Sequence, residues 1–272
     1  MVEQAPKILT DYSNTAVDDA VVENLISYIS SGGKTPGFDW IETPDLTVYI
    51  SGMDRPMFNA VLRTNLDPAN ANKRIAETVN LMKSRNVPFY WRIRKTDTPP
   101  NLTNLLEKAG LKGSEEPGMA IDLDKLRAPQ PPPGFSLERA KGRRSLEEYA
   151  RTLIKAYPAS PWILEPFTRM ILHADLGDAF RHYIGYLGGE PVAAASVLLA
   201  SGVAGLYNVA SMPEVRGKGV GSYISSAPLL WARDDGYRVG ILHASDMGRS
   251  VYARLGFQDR GKVISYYLPK SG

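Results

Sequence analysis

The chain contains no cysteine. Without a thiol there is no disulfide framework, no thiolate nucleophile and no cysteine-ligated zinc or iron–sulfur centre; no metal site is expected. Long apolar runs are also missing. None approaches the roughly 20 residues that cross a bilayer, so no membrane partner is expected. The segment MVEQAPKILTDYS has no basic stretch leading into an apolar one, which points to a cytoplasmic protein. An excess of one charge is lacking too. The net charge is +3 over 272 residues, without the clustered basic face that nucleic-acid binding requires. What remains is an ordinary globular composition, with 43% hydrophobic and 22% charged residues.

Two features organise the chain. The run Pro129-Gln130-Pro131-Pro132-Pro133-Gly134 locks an extended backbone that neither a helix nor a central strand can continue. It lies near mid-chain and divides the sequence into residues 1–128, a linker at 129–135, and residues 136–272. Charge divides in the same way: residues 1–128 carry −2 and residues 129–272 carry +5. The second half is suited to a small polyanionic ligand.

Hydrophobic periodicity gives each half a similar order of elements. In the first, helices are expected at 16–31, 70–84 and 102–109, and strands at 46–50, 57–63, 88–93 and 119–123. In the second, helices are expected at 145–157, 166–174, 219–234 and 251–255. Its strands fall at 180–187, 192–199, 206–210, 239–244 and 263–268, the first two joined through Gly188-Gly189. The strings YARLGF at 252–257 and LEKAGL at 106–111 mark the same step in both halves, as expected of two divergent copies of one α/β fold.

The chemistry concentrates in NVASMPEVRGKGVGSYISS, residues 208–226. Arg216-Gly217-Lys218-Gly219-Val220-Gly221 stands between an apolar strand and an amphipathic helix. Glycines there let the backbone approach a ligand and adopt positive φ. The helix start supplies unpaired N–H groups and the positive dipole end, a site for a phosphate group. The P-loop string is absent, and the dinucleotide fingerprint G-x-G-x-x-G is not matched by G-x-G-x-G. Two readings stay open: a pyrophosphate-binding turn of pattern Arg-x-x-Gly-x-Gly, or a helix entry whose glycines serve packing alone.

With Pro213 ahead of Arg216, and YARLGF downstream, residues 136–268 resemble the GNAT superfamily of acyl-CoA-dependent N-acyltransferases. The resemblance implies an α/β (α+β) fold of two tandem GNAT-like domains, each a mixed central sheet flanked by helices. It implies acetyl-CoA as cosubstrate and, as acceptor, a small-molecule or peptide primary amine. Val209, Ala210 and Ser211 would pair with the pantetheine arm. Arg216, Gly217, Lys218, Gly219, Val220, Gly221 and Ser222 would hold the pyrophosphate, and Ser245 would be a weaker contact. Tyr252 would protonate the departing thiolate, unless it is simply a tyrosine of the core or rim. A base that deprotonates the incoming ammonium is not assigned. The preceding strand offers Leu206, Tyr207 and Asn208, none a carboxylate; His243 and Asp246 are the other candidates. With no cysteine or triad-like nucleophile, direct transfer in a ternary complex is expected. A CoA-binding regulatory or sensor protein with a non-catalytic GNAT site is the alternative, and a nucleotide-binding module a third reading.

The first half keeps neither feature. With Gly256 matched to Gly110, Tyr252 falls on Leu106, and Arg216, Gly219 and Gly221 fall on Asn70, Lys73 and Ile75. A shift of one residue gives Ala71, Arg74 and Ala76. A degenerate copy is expected, covering sheet surface or shaping an acceptor wall with Tyr90, Trp91 and Arg92. In the second half, Tyr157 and Trp162, around Pro158-Ala159-Ser160-Pro161, are candidates for acceptor contact or for a packed helix corner.

Overall fold

A computed structural model describes residues 8–157, 161–174 and 176–270; Pro158, Ala159 and Ser160 lie outside the described residues. The helices are α1 (Asn14–Ser30), α2 (Ala71–Ser84), α3 (Leu102–Lys108), α4 (Gly142–Ala156), α5 (Leu164–His173), α6 (Val220–Asp234) and α7 (Asp246–Arg254). The strands are β1 (Asp39–Glu42), β2 (Thr47–Ile50), β3 (Asn59–Leu62), β4 (Phe89–Ile93), β5 (Lys112–Asp122), β6 (Phe135–Ala140), β7 (Phe180–Leu187), β8 (Glu190–Ala200), β9 (Val203–Ser211), β10 (Val239–His243) and β11 (Gln258–Leu268). The fold is α/β, with mixed sheets flanked by helices.

Two compact units form, and they are not the two halves set off by the proline-rich run. One comprises the described residues of Met1–Tyr28 and Pro117–Gly261; the other comprises those of Ile29–Glu116 and Lys262–Gly272. The closing strands are exchanged. Residues Gly118–Asp122 of β5 pair antiparallel with β10 in the first unit. Residues Ile264–Leu268 of β11 pair antiparallel with β4 in the second.

In the larger unit the strand order is β5-β10-β9-β8-β7-β6. Only β9 and β10 run parallel, which requires a crossover helix between them. That helix is α6, and its N-terminus therefore follows directly on the end of β9. α4 and α6 pack on β8 and β9, over a core that includes Leu206, Val220, Ile224 and Leu229. In the smaller unit the order is β1-β2-β3-β4-β11. There β3 and β4 are the parallel pair, with α2 crossing between them. Its core is built on Val61, Ile75, Met82, Phe89 and Trp91.

Two strands were not read from the sequence. β1 is four residues, Asp39-Trp40-Ile41-Glu42, too short for alternation to register. β6 carries Glu138 and Arg139 between its buried ends Phe135 and Ala140. β5 begins seven residues earlier than expected because its first stretch, KGSEEPG, is polar and contains glycine and proline.

Candidate active site

The end of β9, the start of α6 and the helix α7 surround a cavity of about 450 Å³. Val209, Ala210 and Ser211 line it from the strand, Arg216, Gly217, Gly219, Gly221 and Ser222 from the turn and helix start, and Ser245 and Tyr252 from the α7 side. Lys218 is exposed and does not line the cavity. The Val220 side chain packs into the core, so only its backbone is free to face a ligand. Ala156, Tyr157, Ser225, Gly248, Val251 and Arg254 also form the wall. Among the described residues no aspartate or glutamate lines it, and Arg216 and Arg254 bring positive charge to its wall.

The helix entry is built by glycine. Gly219, the N-cap of α6, has φ +84° and makes no side-chain hydrogen bond, so the first N–H groups of the helix are not capped by the chain itself. A Cβ added at Gly217 or Gly221 would meet nothing within 4 Å, and one at Gly219 would meet only Pro132 Cγ at 3.8 Å. These positions border open space, so packing does not account for the absent side chains. Arg216 donates from Nε to the Ser211 carbonyl at 3.2 Å and from Nη2 to the Ala156 carbonyl at 3.3 Å. It thereby ties the last turn of α4 to the end of β9. The Tyr157 hydroxyl does likewise, donating to the Val209 carbonyl at 3.3 Å.

Tyr252 is half-buried, its ring 5.9 Å from Phe257 in an edge-to-face contact. Burial pushes its phenol up to about 12, so it is held as a proton donor. It reaches back over the preceding turn, as helical side chains do; a Cβ at Gly248 would come within 2.9 Å of its Cε2. The glycine four residues before the tyrosine was a legible signal. So was Ser225, one helical turn beyond Gly221. Ser245 is the N-cap of α7, its hydroxyl accepting from the Gly248 N–H at 3.3 Å, which commits that oxygen partly to the helix.

Among the described residues, His243 and Trp162 do not line the cavity. His243 stands on β10 with its ring 6.4 Å from that of Tyr207. The Asp246 side chain lies outside the described part of the structure. Trp162 is 47% exposed and lies apart from the lining residues. In the smaller unit, Trp91 is fully buried and donates to Thr64. Arg92 is committed to Glu116 and Ser265, so Trp91 and Arg92 build core rather than a cleft wall. Among the described residues no cluster of three or more histidines or carboxylates is arranged to hold a metal, and no helix is long and apolar enough to cross a membrane.

This arrangement of strand end, glycine turn and tyrosine helix has counterparts among known proteins. Residues 137–265 match the family model of the acetyltransferase (GNAT) domain. The chain is also similar in fold to a GCN5-related N-acetyltransferase from Kribbella flavida, with a TM-score of 0.65 at 18% identity over 91% of this chain and 96% of that one. It resembles a tandem GNAT protein from the clavulanic acid biosynthesis pathway, with a TM-score of 0.62 at 15% identity over 94% of this chain and 97% of the other. A putative GNAT acetyltransferase from Novosphingobium aromaticivorans gives a TM-score of 0.57 at 17% identity, over 94% and 99%. At these identities the likeness is one of fold. The glycine turn and the Tyr252 helix both lie inside the matched stretch.

Proposed function

We propose that the GNAT domain transfers an acetyl group from acetyl-CoA to a primary amine by direct attack in a ternary complex. The observation that carries this reading is the uncapped N-terminus of α6, opening through side-chain-free glycines into a cavity that carries Arg216 and Arg254 on its wall and also holds Tyr252. Three glycines leave the volume that a diphosphate needs beside the N–H groups. The carbonyl and N–H groups of Val209 to Ser211 would accompany the pantetheine arm. Arg216 would exchange its carbonyl partners for phosphate oxygens, and Arg254 would add a second cation.

In this mechanism the neutral amine attacks the thioester carbonyl and a C–N bond forms. The C–S bond then breaks, the Tyr252 hydroxyl delivers its proton to the departing sulfur, and the proton that the amine nitrogen sheds on becoming an amide restores the phenol. A buried phenol near 12 stays protonated at neutral pH and is a competent donor to a thiolate. The first half performs no chemistry of its own in this reading. Titration calorimetry with acetyl-CoA is the test, followed by a thiol-release screen against amino acids, polyamines and peptide N-termini. Binding with a stoichiometry of one, and CoA release with some amine, is expected. Silence at high micromolar acetyl-CoA overturns the reading; binding without thiol release for any amine replaces catalysis with sensing.

A further inference from the structure

Strand β9 of the larger unit holds a polar residue that this mechanism does not use. Asn208 stands in β9 with φ +54°, a left-handed conformation that side chains other than glycine rarely adopt. It belongs to a β-bulge: Ala194 faces Ala210 and Ser196 faces Tyr207, so Asn208 and Val209 together oppose the single residue Ala195. A bulge re-aims the residues beside it, and the residues that follow, Val209 to Ser211, are the ones that line the cavity. The Asn208 amide is costly. Its Nδ2 is buried with no hydrogen-bond partner among the described residues.

What holds this bulge comes from α1, at the other end of the chain. Tyr28 donates its hydroxyl to Asn208 Oδ1 at 3.0 Å. Its ring lies flat on Tyr207, with centroids 4.2 Å apart and planes within 4°. One helical turn earlier, Asn24 accepts the Tyr207 hydroxyl at 2.7 Å. The Asn24 amide nitrogen is bonded to the carbonyls of Leu198 and Ala200 on β8. Gly205 makes the approach feasible, since a Cβ there would lie 2.2 Å from Asn24 Oδ1. Thus two residues of α1 grip the strands on both sides of the bulge, and of these two it is Tyr28 that bonds to the strained residue itself.

We propose that Tyr28 is a positioning residue for acyl transfer: acting through Asn208, it fixes the bulge that presents the backbone of Val209 to Ser211 to the thioester end of the cavity. This inference rests on the acetyl-transfer reading and gives α1 a part in the transferase site. Two variants isolate it. Tyr28→Phe keeps the ring stack and removes one hydroxyl, whereas Asn208→Gly accepts the left-handed backbone with no side chain to hold. Amide hydrogen exchange at Val209 and Ala210 in the unliganded protein reads the positioning without any ligand. Tyr28→Phe is expected to speed that exchange about tenfold, and to lower kcat about tenfold with KM for acetyl-CoA within about twofold. In the Asn208→Gly background the same substitution is expected to add nothing, the non-additivity of residues acting as one unit. Unchanged exchange in Tyr28→Phe, or effects that simply add, would overturn the proposal; so would a lower melting temperature with no change at these two amides. A wild-type protein that does not bind acetyl-CoA instead overturns the acetyl-transfer reading, and the exchange measurement tells the two failures apart.

Discussion

The helices α2 and α6 occupy the same place in the two units, each crossing between a pair of parallel strands, and they end alike. Asn86, at φ +51°, follows α2 while the Val87 N–H returns to the Met82 carbonyl at 3.5 Å. Gly236, at φ +103°, follows α6 while the Tyr237 N–H returns to the Ala232 carbonyl at 3.1 Å. Both are left-handed helix stops. Their beginnings differ. Neither helix has a side-chain cap, but before α2 the chain is filled by side chains, with Asp67 Oδ1 accepting from the Ala69 N–H at 3.0 Å in the turn ahead of the helix. Before α6, Gly219 makes no such bond. Counted back from the matched stops, Gly219 corresponds to exposed Ala69, Gly221 to Ala71 with its methyl buried, and Arg216 to buried Leu66. The start of α2 carries side chains where that of α6 has only glycine, and it lacks the arginine that stands beside α6.

The largest expected effect tests this asymmetry directly. Gly219→Glu sets a negative charge and a side chain at φ +84° into the open turn. It is expected to weaken acetyl-CoA binding by more than about a hundredfold in calorimetry. Ala69→Glu, at the matching position, is expected to leave affinity and stoichiometry unchanged. Equal losses in the two variants would dissolve the distinction between the two helix starts.

The short helices α3 and α7 carry the comparison from binding to chemistry. They stop identically, at Gly110 with Leu111 N–H to the Leu106 carbonyl at 3.0 Å, and at Gly256 with Phe257 N–H to the Tyr252 carbonyl at 3.1 Å. The matched side chains do different work: Leu106 is wholly buried in the core, and Tyr252 faces the cavity. Tyr252→Phe is expected to lower kcat about a hundredfold while acetyl-CoA affinity is kept. Leu106→Ala is expected to cost about 2–5 kcal/mol of stability instead. Because burial raises the Tyr252 phenol to about 12, its proton-bearing form persists across the alkaline range. A pH–rate profile should therefore show no loss from its ionisation below about pH 11. A fall with an apparent pKa near 10 would remove Tyr252 as the donor.

Acid should separate the units next. All three histidines lie in the second half, and His182 is buried in the larger unit with Nδ1 2.8 Å from Ser196 Oγ. Burial, and then the charge of Arg139, lower its imidazole to about 3. Between about 6.5 and 3 the unfolded chain binds a proton that the folded one excludes. Stability therefore falls as pH drops through that window, by about 2 kcal/mol at pH 5. Pulsed hydrogen exchange at pH 5 should show the larger unit opening first, and His182→Gln should abolish that slope. Simultaneous opening with an unchanged slope would assign acid sensitivity elsewhere.

How far these features were legible follows from which forces set them. The glycine turn, the tyrosine helix and the helices α2 and α6 are local patterns of three to fifteen residues, and they could be read directly. The exchange of β5 and β11 could not, because strand pairing across a hundred residues leaves no local trace. Matching Gly256 to Gly110 put Asn70, Lys73 and Ile75 opposite the motif. The helix stops place Leu66, Ala69 and Ala71 there, because the connection from β4 to α3 is longer than that from β10 to α7. The hold of Tyr28 on Asn208 spans 180 residues and was invisible for the same reason.

The smallest effect is the most discriminating, because it moves stability and binding in opposite directions. Gly221 lies in the first turn of α6 and a methyl there meets nothing. Gly221→Ala should stabilise the helix by about 0.5–1 kcal/mol, since alanine loses less backbone entropy than glycine. The same methyl would enter the space that the diphosphate needs, so acetyl-CoA affinity should fall as the melting temperature rises. The reciprocal Ala71→Gly removes a buried methyl from α2 and should lower the melting temperature without creating a second site, because buried Leu66 stands at the position matched to Arg216. Thermal melts with and without acetyl-CoA measure both quantities together. If Gly221→Ala raised the melting temperature and left affinity intact, the glycine would owe its place to something other than a ligand.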